Sequence, residues 1–89
     1  MSPLSHTDRR VFITGGGSGI GLTIARAYQE AGACVHVCDV DASALTALGA
    51  QTTISSTTAD VASSEQVTSM FEDVVKNLGG LDVLVNNAG

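Results

Sequence analysis

The sequence is poor in the residues that several classes of protein need. Only 4 of its 89 residues are lysine or arginine, and a net charge of −5 does not suit a nucleic-acid-binding surface. No run of about 18 apolar residues could span a membrane, and residues 1–10 lack the apolar core of a secretory signal. We therefore expect neither a nucleic acid nor a membrane as a partner.

Cysteine is also scarce, and the two cysteines, Cys34 and Cys38, flank His36 in a predicted strand. Alternate residues of a strand share one face, so these three side chains are candidate metal ligands. A fourth ligand is not evident, strand cysteines are commonly buried as apolar residues, and an extended strand separates the sulfurs too far for a disulfide. We predict no metal site and two reduced thiols, which indicate a cytoplasmic protein.

What the sequence does contain is a regular alternation of strand-like and helix-like segments. In chain order we predict a strand at 10–14, a helix at 20–31, a strand at 33–39, a helix at 41–48, a strand at 52–58, a helix at 63–78 and a strand at 81–85. Gly32, Gly49 and Gly79 are expected to end the three helices, and Asp41 to cap the second.

The third predicted helix carries the clearest signals. Ser63 and Gln66 resemble a capping box, in which the Gln66 side chain reaches back to the N-cap. Apolar residues then recur at helical spacing and form a core-facing stripe: Val67, Met70, Phe71, Val74, Val75 and Leu78.

This alternation predicts an α/β fold, a Rossmann-like doubly wound parallel sheet with strand order 3-2-1-4. Right-handed crossovers place the first two helices on one face of the sheet and the third helix on the other. The fourth strand is then an apolar edge, which natural proteins avoid. We therefore expect the sheet to be partial and the chain to be truncated. An isolated 89-residue chain should be aggregation-prone or molten.

Glycine is concentrated between the first strand and the first helix, in the segment Thr14-Gly15-Gly16-Gly17-Ser18-Gly19-Ile20-Gly21. Such a turn can hold phosphate, because the helix N-terminus offers unpaired N–H groups and glycine leaves room for the ligand. Gly15, Gly19 and Gly21 have the spacing T-G-x-x-x-G-x-G rather than G-x-G-x-x-G, and Leu22 replaces the lysine of a nucleotide-hydrolysing loop. The segment also contains G-x-G-x-G, so a methyltransferase fragment that uses S-adenosylmethionine is an alternative.

An acidic residue, Asp39, ends the second predicted strand, 20 residues after Gly19 (39 − 19). A carboxylate at this position of a dinucleotide-binding fold accepts hydrogen bonds from the adenosine ribose. It would repel the 2′-phosphate of NADP, and Ser18 supplies no positive charge to offset this. We predict NAD in preference to NADP. The alternative is an exposed aspartate that caps the next helix, a role open to Asp41 as well.

Two more polar segments follow strands at the same predicted edge: Asp60-Val61 and Asn86-Asn87-Ala88-Gly89. Together with the glycine loop, these motifs resemble those of the short-chain dehydrogenase/reductase family, over residues 10–89. The resemblance implies that 10–89 is the N-terminal half of a dinucleotide-binding Rossmann domain, preceded by a flexible segment at 1–9. It also argues against the methyltransferase alternative.

The resemblance implies a role for each residue of the glycine loop. Gly15, Ser18 and Ile20 would contact the ribose and pyrophosphate of the cofactor. Gly19 and Gly21 would permit close approach of the cofactor to the backbone.

The resemblance also implies an adenosine site beyond that loop. Asp39 would bind the ribose hydroxyls, while the Asp60 side chain and the Val61 backbone would hold adenine. Asn87 would line the pocket near the ribose. Asn86 would be more structural, bonding the central strands together.

No residue of this sequence is assigned to catalysis. The family uses a serine and a Tyr-x-x-x-Lys pair, but the only tyrosine, Tyr28, is followed four residues later by Gly32. The only lysine, Lys76, is expected to form a solvent-exposed ion pair with Glu72, four residues earlier on the same helix. The resemblance implies the NAD-binding portion of an oxidoreductase that transfers a hydride between nicotinamide and an alcohol or carbonyl, homo-oligomeric in full-length form. The alternative is a non-catalytic dinucleotide-binding module, if the 89 residues are the whole protein.

Overall fold

The computed structural model describes residues 8–87, so most of the predicted flexible segment 1–9, as well as Ala88 and Gly89, lies outside the described residues. The elements are β1 (Arg10–Thr14), α1 (Gly19–Glu30), β2 (Cys34–Asp39), α2 (Ala42–Gln51), β3 (Ser55–Thr58), α3 (Ser64–Leu78) and β4 (Val83–Asn86). The strands are parallel, in the order β3-β2-β1-β4. The predicted doubly wound α/β sheet and its strand order are confirmed.

The helices cover the two faces of the sheet unequally, as predicted. One face packs against α1 and α2 in a core that contains Ile13, Val37 and Leu45. Among the helices of residues 8–87, only α3 packs against the other face, around Phe12 and Met70. Beyond α3, Leu84 of the edge strand β4 is 50% exposed. No helix in the range 8–87 is both long and apolar enough to cross a membrane.

The prediction that α2 ends before Gly49 is wrong. The helix continues to Gln51, and the Thr52 hydroxyl donates to the Leu48 carbonyl at 2.8 Å. Because Thr52 serves as the C-cap of α2, β3 begins at Ser55 rather than at 52 as predicted. The end of this helix is therefore set by a threonine side chain rather than by glycine.

The capping box before α3 is half correct. Ser63 is the N-cap, and its hydroxyl accepts from the Gln66 backbone N–H at 3.4 Å. The Gln66 side chain does not return to Ser63 but accepts from the Asp60 N–H at 2.8 Å. This contact ties the loop after β3 to the first turn of α3, next to the predicted adenine site.

Candidate functional site

The turn from β1 to α1 depends on two glycines with left-handed backbone angles. Gly15 has a φ of 65° and Gly19 a φ of 58°. A side-chain-bearing residue in this region is destabilised by about 1–2 kcal/mol. The shape of the turn therefore requires glycine at both positions.

Other glycines of the loop are required by close packing. A Cβ on Gly21 would lie 2.1 Å from the Gly15 carbonyl oxygen and 2.7 Å from Asn87 Nδ2, and a Cβ on Gly16 would lie 2.5 Å from the Val37 Cβ. The sequence spacing placed Gly21 in the site but did not single out Gly16. The run of three consecutive glycines was the signal that could have done so.

The N-terminus of α1 is open. Its N-cap Ser18 makes no side-chain capping bond, and no acidic residue lies in the first turn. The N-caps of α2 and α3, Asp41 and Ser63, each accept a backbone N–H of their own helix. Ser18 is exposed, and Ile20 is 73% exposed beside it. The positive end of the α1 dipole can therefore receive an anion.

Both carboxylate oxygens of Asp39 are held by backbone N–H groups. Oδ2 accepts from Gly17 at 3.0 Å, and Oδ1 accepts from Asp41 at 3.1 Å. The first of these bonds fastens the end of β2 to the glycine loop. The alternative role as a helix cap is wrong for Asp39, because Asp41 caps α2 by accepting from Ala44 N at 3.1 Å.

A cavity of about 230 Å³ opens beside Asp39 at the carboxyl edge of the sheet, lined by Gly15, Cys38, Asp39, Val40, Ala59, Asp60 and Val61. Four of the predicted site residues thus meet in one depression. Asp60 is held there, because its Oδ1 accepts from Ala62 N at 2.9 Å. Ser18, Gly19 and Ile20 do not line this cavity but lie at the start of α1.

Thr14 joins the last of the predicted site residues to the loop. Its hydroxyl oxygen accepts from the Asn87 N–H at 3.0 Å and lies 3.3 Å from Asn86 Oδ1, to which it can donate. The Asn87 side chain donates to the Gly15 carbonyl at 3.2 Å. Asn86 therefore bonds β4 to β1 as expected, and Asn87 braces the glycine loop. The sequence pattern did not reveal the role of Thr14.

The candidate metal ligands are used otherwise. His36 is fully buried, with Nδ1 2.6 Å from Ser55 Oγ and Nε2 2.8 Å from Thr57 Oγ1. Burial lowers its pKa, opposed by the charge of Asp73, to which Thr57 donates at 2.9 Å. Both cysteines are free thiols, and no group of three acidic, cysteine or histidine residues in the described part of the chain could hold a metal ion.

The chain matches the family model of short chain dehydrogenases over residues 9–89. Among curated relatives, 1-deoxy-11-beta-hydroxypentalenate dehydrogenase of Streptomyces exfoliatus is 41% identical over 88 residues, which are 91% of this chain and 31% of the relative. The chain therefore spans less than a third of the length of this relative.

Solved structures of dehydrogenases and reductases also resemble this chain over about a third of their own length. Hydroxysteroid dehydrogenase from Escherichia coli superposes with a TM-score of 0.90 at 32% identity, over 97% of this chain and 37% of that one. The 3-ketoacyl-(acyl-carrier-protein) reductase from Brucella melitensis, complexed with NADH, has a TM-score of 0.85 at 26% identity, over 90% of this chain and 34% of that one.

Proposed function

The chain belongs to the short chain dehydrogenase family, and we propose that it binds NAD as the cofactor-binding part of an oxidoreductase. The reaction would transfer a hydride between nicotinamide and the carbon of an alcohol or carbonyl substrate. The observation that carries the NAD proposal is the Asp39 carboxylate, fixed 3.0 Å from the glycine-loop N–H of Gly17 at the end of β2.

The residues of the loop fit a dinucleotide pyrophosphate. Gly15 and Gly21 bring backbone close to backbone with no Cβ between them. The N-terminus of α1 has neither a capping side chain nor an acidic residue to compete with phosphate. Ser18 and Ile20, exposed at this end of the helix, would contact the ribose and pyrophosphate, with Gly19 leaving room for them.

The cavity beside Asp39 fits the adenosine end of the same ligand. Asp60 and Val61 would hold adenine there, and Asn87 would line the pocket near the ribose, where its side chain already braces Gly15. When bound, nicotinamide supplies or accepts the hydride. The role of this chain is to bind, orient and select the dinucleotide.

The catalytic groups are proposed to belong to a longer protein, since the matched relatives are about three times the length of this chain. The described residues provide no substitute for them. Tyr28 lies on α1 and packs against the core between α1 and the sheet. Lys76 is exposed on α3, which covers the opposite face of the sheet from α1. A cytoplasmic location and a homo-oligomeric full-length form remain proposals, tested by cell fractionation and by light scattering.

Cofactor preference is tested by calorimetry on the full-length protein. Two like unit charges 4 Å apart repel by about 1 kcal/mol in water and about 4 kcal/mol near a protein surface. We therefore expect NAD to bind at least about tenfold more tightly than NADP. Asp39→Ala should narrow this gap to less than about threefold.

Asp41→Asn is the matched control, because it removes a negative charge two residues away while asparagine still caps α2. This variant should retain nearly the full gap between NAD and NADP. Equal affinity for both dinucleotides in the wild type, unchanged by Asp39→Ala, would refute the preference. Binding of NAD by a full-length protein that shows no turnover with any alcohol or carbonyl would instead favour a non-catalytic module.

A further inference from the structure

Gly17 differs from the other loop glycines in what a side chain would meet. The three atoms nearest to an added Cβ all belong to Asp39: Oδ2 at 2.9 Å, Cγ at 3.1 Å and Cβ at 3.2 Å. Gly17 is not among the positive-φ glycines, so alanine fits its backbone. At Gly21, by contrast, the nearest atom is the backbone carbonyl oxygen of Gly15, which no side-chain rotation can move aside. An alanine at position 17 therefore presses on one side chain, that of Asp39, and most closely on its carboxylate oxygen Oδ2.

The N–H of Gly17 is also the donor that orients this carboxylate. It bonds Oδ2 at 3.0 Å, while the Asp41 N–H bonds Oδ1 at 3.1 Å. A carboxylate has about four acceptor sites, so two stay available for the two hydroxyls of a ribose. The bond to Asp39 also occupies the Gly17 N–H, which could otherwise donate a hydrogen bond to a phosphate.

We propose that Gly17 is a positioning residue for cofactor choice, acting through Asp39. Its missing side chain lets the carboxylate lie against the loop, where it can receive two ribose hydroxyls. Asp39 in turn withdraws the Gly17 N–H from a 2′-phosphate. Discrimination against NADP then has two parts, charge repulsion and loss of a backbone donor. This inference rests on the proposed function.

The test is a double-mutant cycle on the full-length protein, with calorimetric affinities for ADP-ribose and its 2′-phosphorylated form. These probes differ only in the phosphate and do not react. Gly17→Ala should weaken ADP-ribose about tenfold or more, the loss expected for one hydrogen bond to a charged group, and should not weaken the phosphorylated probe. The double variant with Asp39→Ala should bind ADP-ribose as Asp39→Ala alone does, because Gly17 acts through that side chain.

Additive losses in this cycle would overturn the inference, since they would mean that the new methyl group disturbs the loop without Asp39. An unchanged affinity of Gly17→Ala for ADP-ribose would also overturn it. Gly49→Ala is the control, because the same substitution in α2 meets no atom within 4 Å. It should leave both affinities unchanged.

A second pair of variants tests the donor without altering the loop. Asp39→Asn removes the charge but keeps an oxygen for the Gly17 N–H, whereas Asp39→Ala removes both. The phosphorylated probe should therefore bind Asp39→Ala about threefold more tightly than Asp39→Asn. Equal affinities would overturn the donor part of the inference. A wild type that binds neither probe would refute the proposed function and this inference together, whereas a failed cycle in a protein that prefers ADP-ribose refutes the inference alone.

Discussion

The two ends of the same four-stranded sheet are built in opposite ways. At the carboxyl end lie the glycine loop, the open N-terminus of α1 and a cavity of about 230 Å³. At the amino end, the Arg10 side chain donates three hydrogen bonds that link β1 to the segment between α3 and β4. Its Nε and Nη2 donate to the two carboxylate oxygens of Asp82 at 3.0 and 3.1 Å, and its Nη1 donates to the Gly79 carbonyl at 3.2 Å.

The difference follows from the direction of the chain. In a parallel sheet with crossover helices, every helix that follows a strand starts at the carboxyl end and finishes at the amino end. Unpaired N–H groups, with their partial positive charge, therefore collect at one end, and unpaired carbonyls collect at the other. Arg10 meets the carbonyl that follows α3, while the N-terminus of α1 has no such partner from its own N-cap side chain. One end is arranged for stability and the other for an anionic ligand.

The largest effect is expected at Gly21, because close packing of this glycine serves both the stability of the loop and the binding of the dinucleotide. Gly21→Ala would place a Cβ 2.1 Å from the Gly15 carbonyl oxygen, and overpacking of a site that cannot relax costs about 3 kcal/mol. We expect a loss of this size in the free energy of unfolding, measured by urea denaturation, together with loss of dinucleotide binding. Gly49→Ala, with open space around it, should instead gain up to about 1 kcal/mol. Near-normal stability of Gly21→Ala would contradict this view of the carboxyl end, because the glycine loop could then relax around the added methyl group.

His36 lies midway between the two ends of the sheet. Its substitution tests whether stability can be lowered without a change in dinucleotide affinity. His36→Ala leaves a cavity and deprives Ser55 and Thr57 of a partner, so we expect about 2 kcal/mol of destabilisation with unchanged dinucleotide affinity. A large loss of affinity would show instead that this buried network positions the adjoining strand ends.

The pH dependence of the same variant sharpens the test. Burial lowers the pKa of His36 in the folded state below its ordinary value of 6.5. As the pH falls through 6.5, the unfolded chain gains a proton that the folded chain does not, and stability decreases. The variant lacks this loss. The difference in unfolding free energy between wild type and His36→Ala should therefore narrow between pH 7.5 and 5.5, and a difference that widens would contradict the buried neutral histidine.

Sequence patterns predicted the features that depend on spacing along the chain. Residues 10–14 form β1 as expected, and the handedness of crossovers was enough for the strand order. Asp39 was predicted as a site residue because it follows the glycine loop at a characteristic distance, and in the structure it lines the cavity at the sheet edge. Helix α2 was ended too early, because a threonine hydroxyl that bonds the last turn is not distinguishable from any other threonine in a polar run.

The features that were missed depend on which atoms lie opposite one another across the sheet. Gly16 must be small because Val37 of β2 faces it, and Thr14 matters because β4 brings Asn87 beside it. The contact between Gly17 and Asp39 is of the same kind. Strand register brings these residues together, and single-sequence periodicity contains no signal for register at that resolution.

The smallest effect is expected at the amino end, where Asp82→Asn should lower the Tm modestly and leave dinucleotide affinity unchanged. The hydrogen bond from the Arg10 side chain, with that from its backbone N–H, lowers the pKa of Asp82 from 3.8 to about 2. Its stabilising contribution is therefore complete above pH 3.8 and is lost as the pH falls toward 2. Both side chains are over 30% exposed, which limits the strength of the pair.

Thermal unfolding of wild type and Asp82→Asn at pH 7, 4 and 3 measures this directly. The difference in Tm should be the same at pH 7 and pH 4 to within a degree or so, and smaller at pH 3, because only the wild type loses an ion pair there. High salt at pH 7 should also reduce it, since exposed pairs are screened. A variant that unfolds normally but binds the dinucleotide more weakly would contradict the division between the two ends, because no ligand contact is proposed at Asp82.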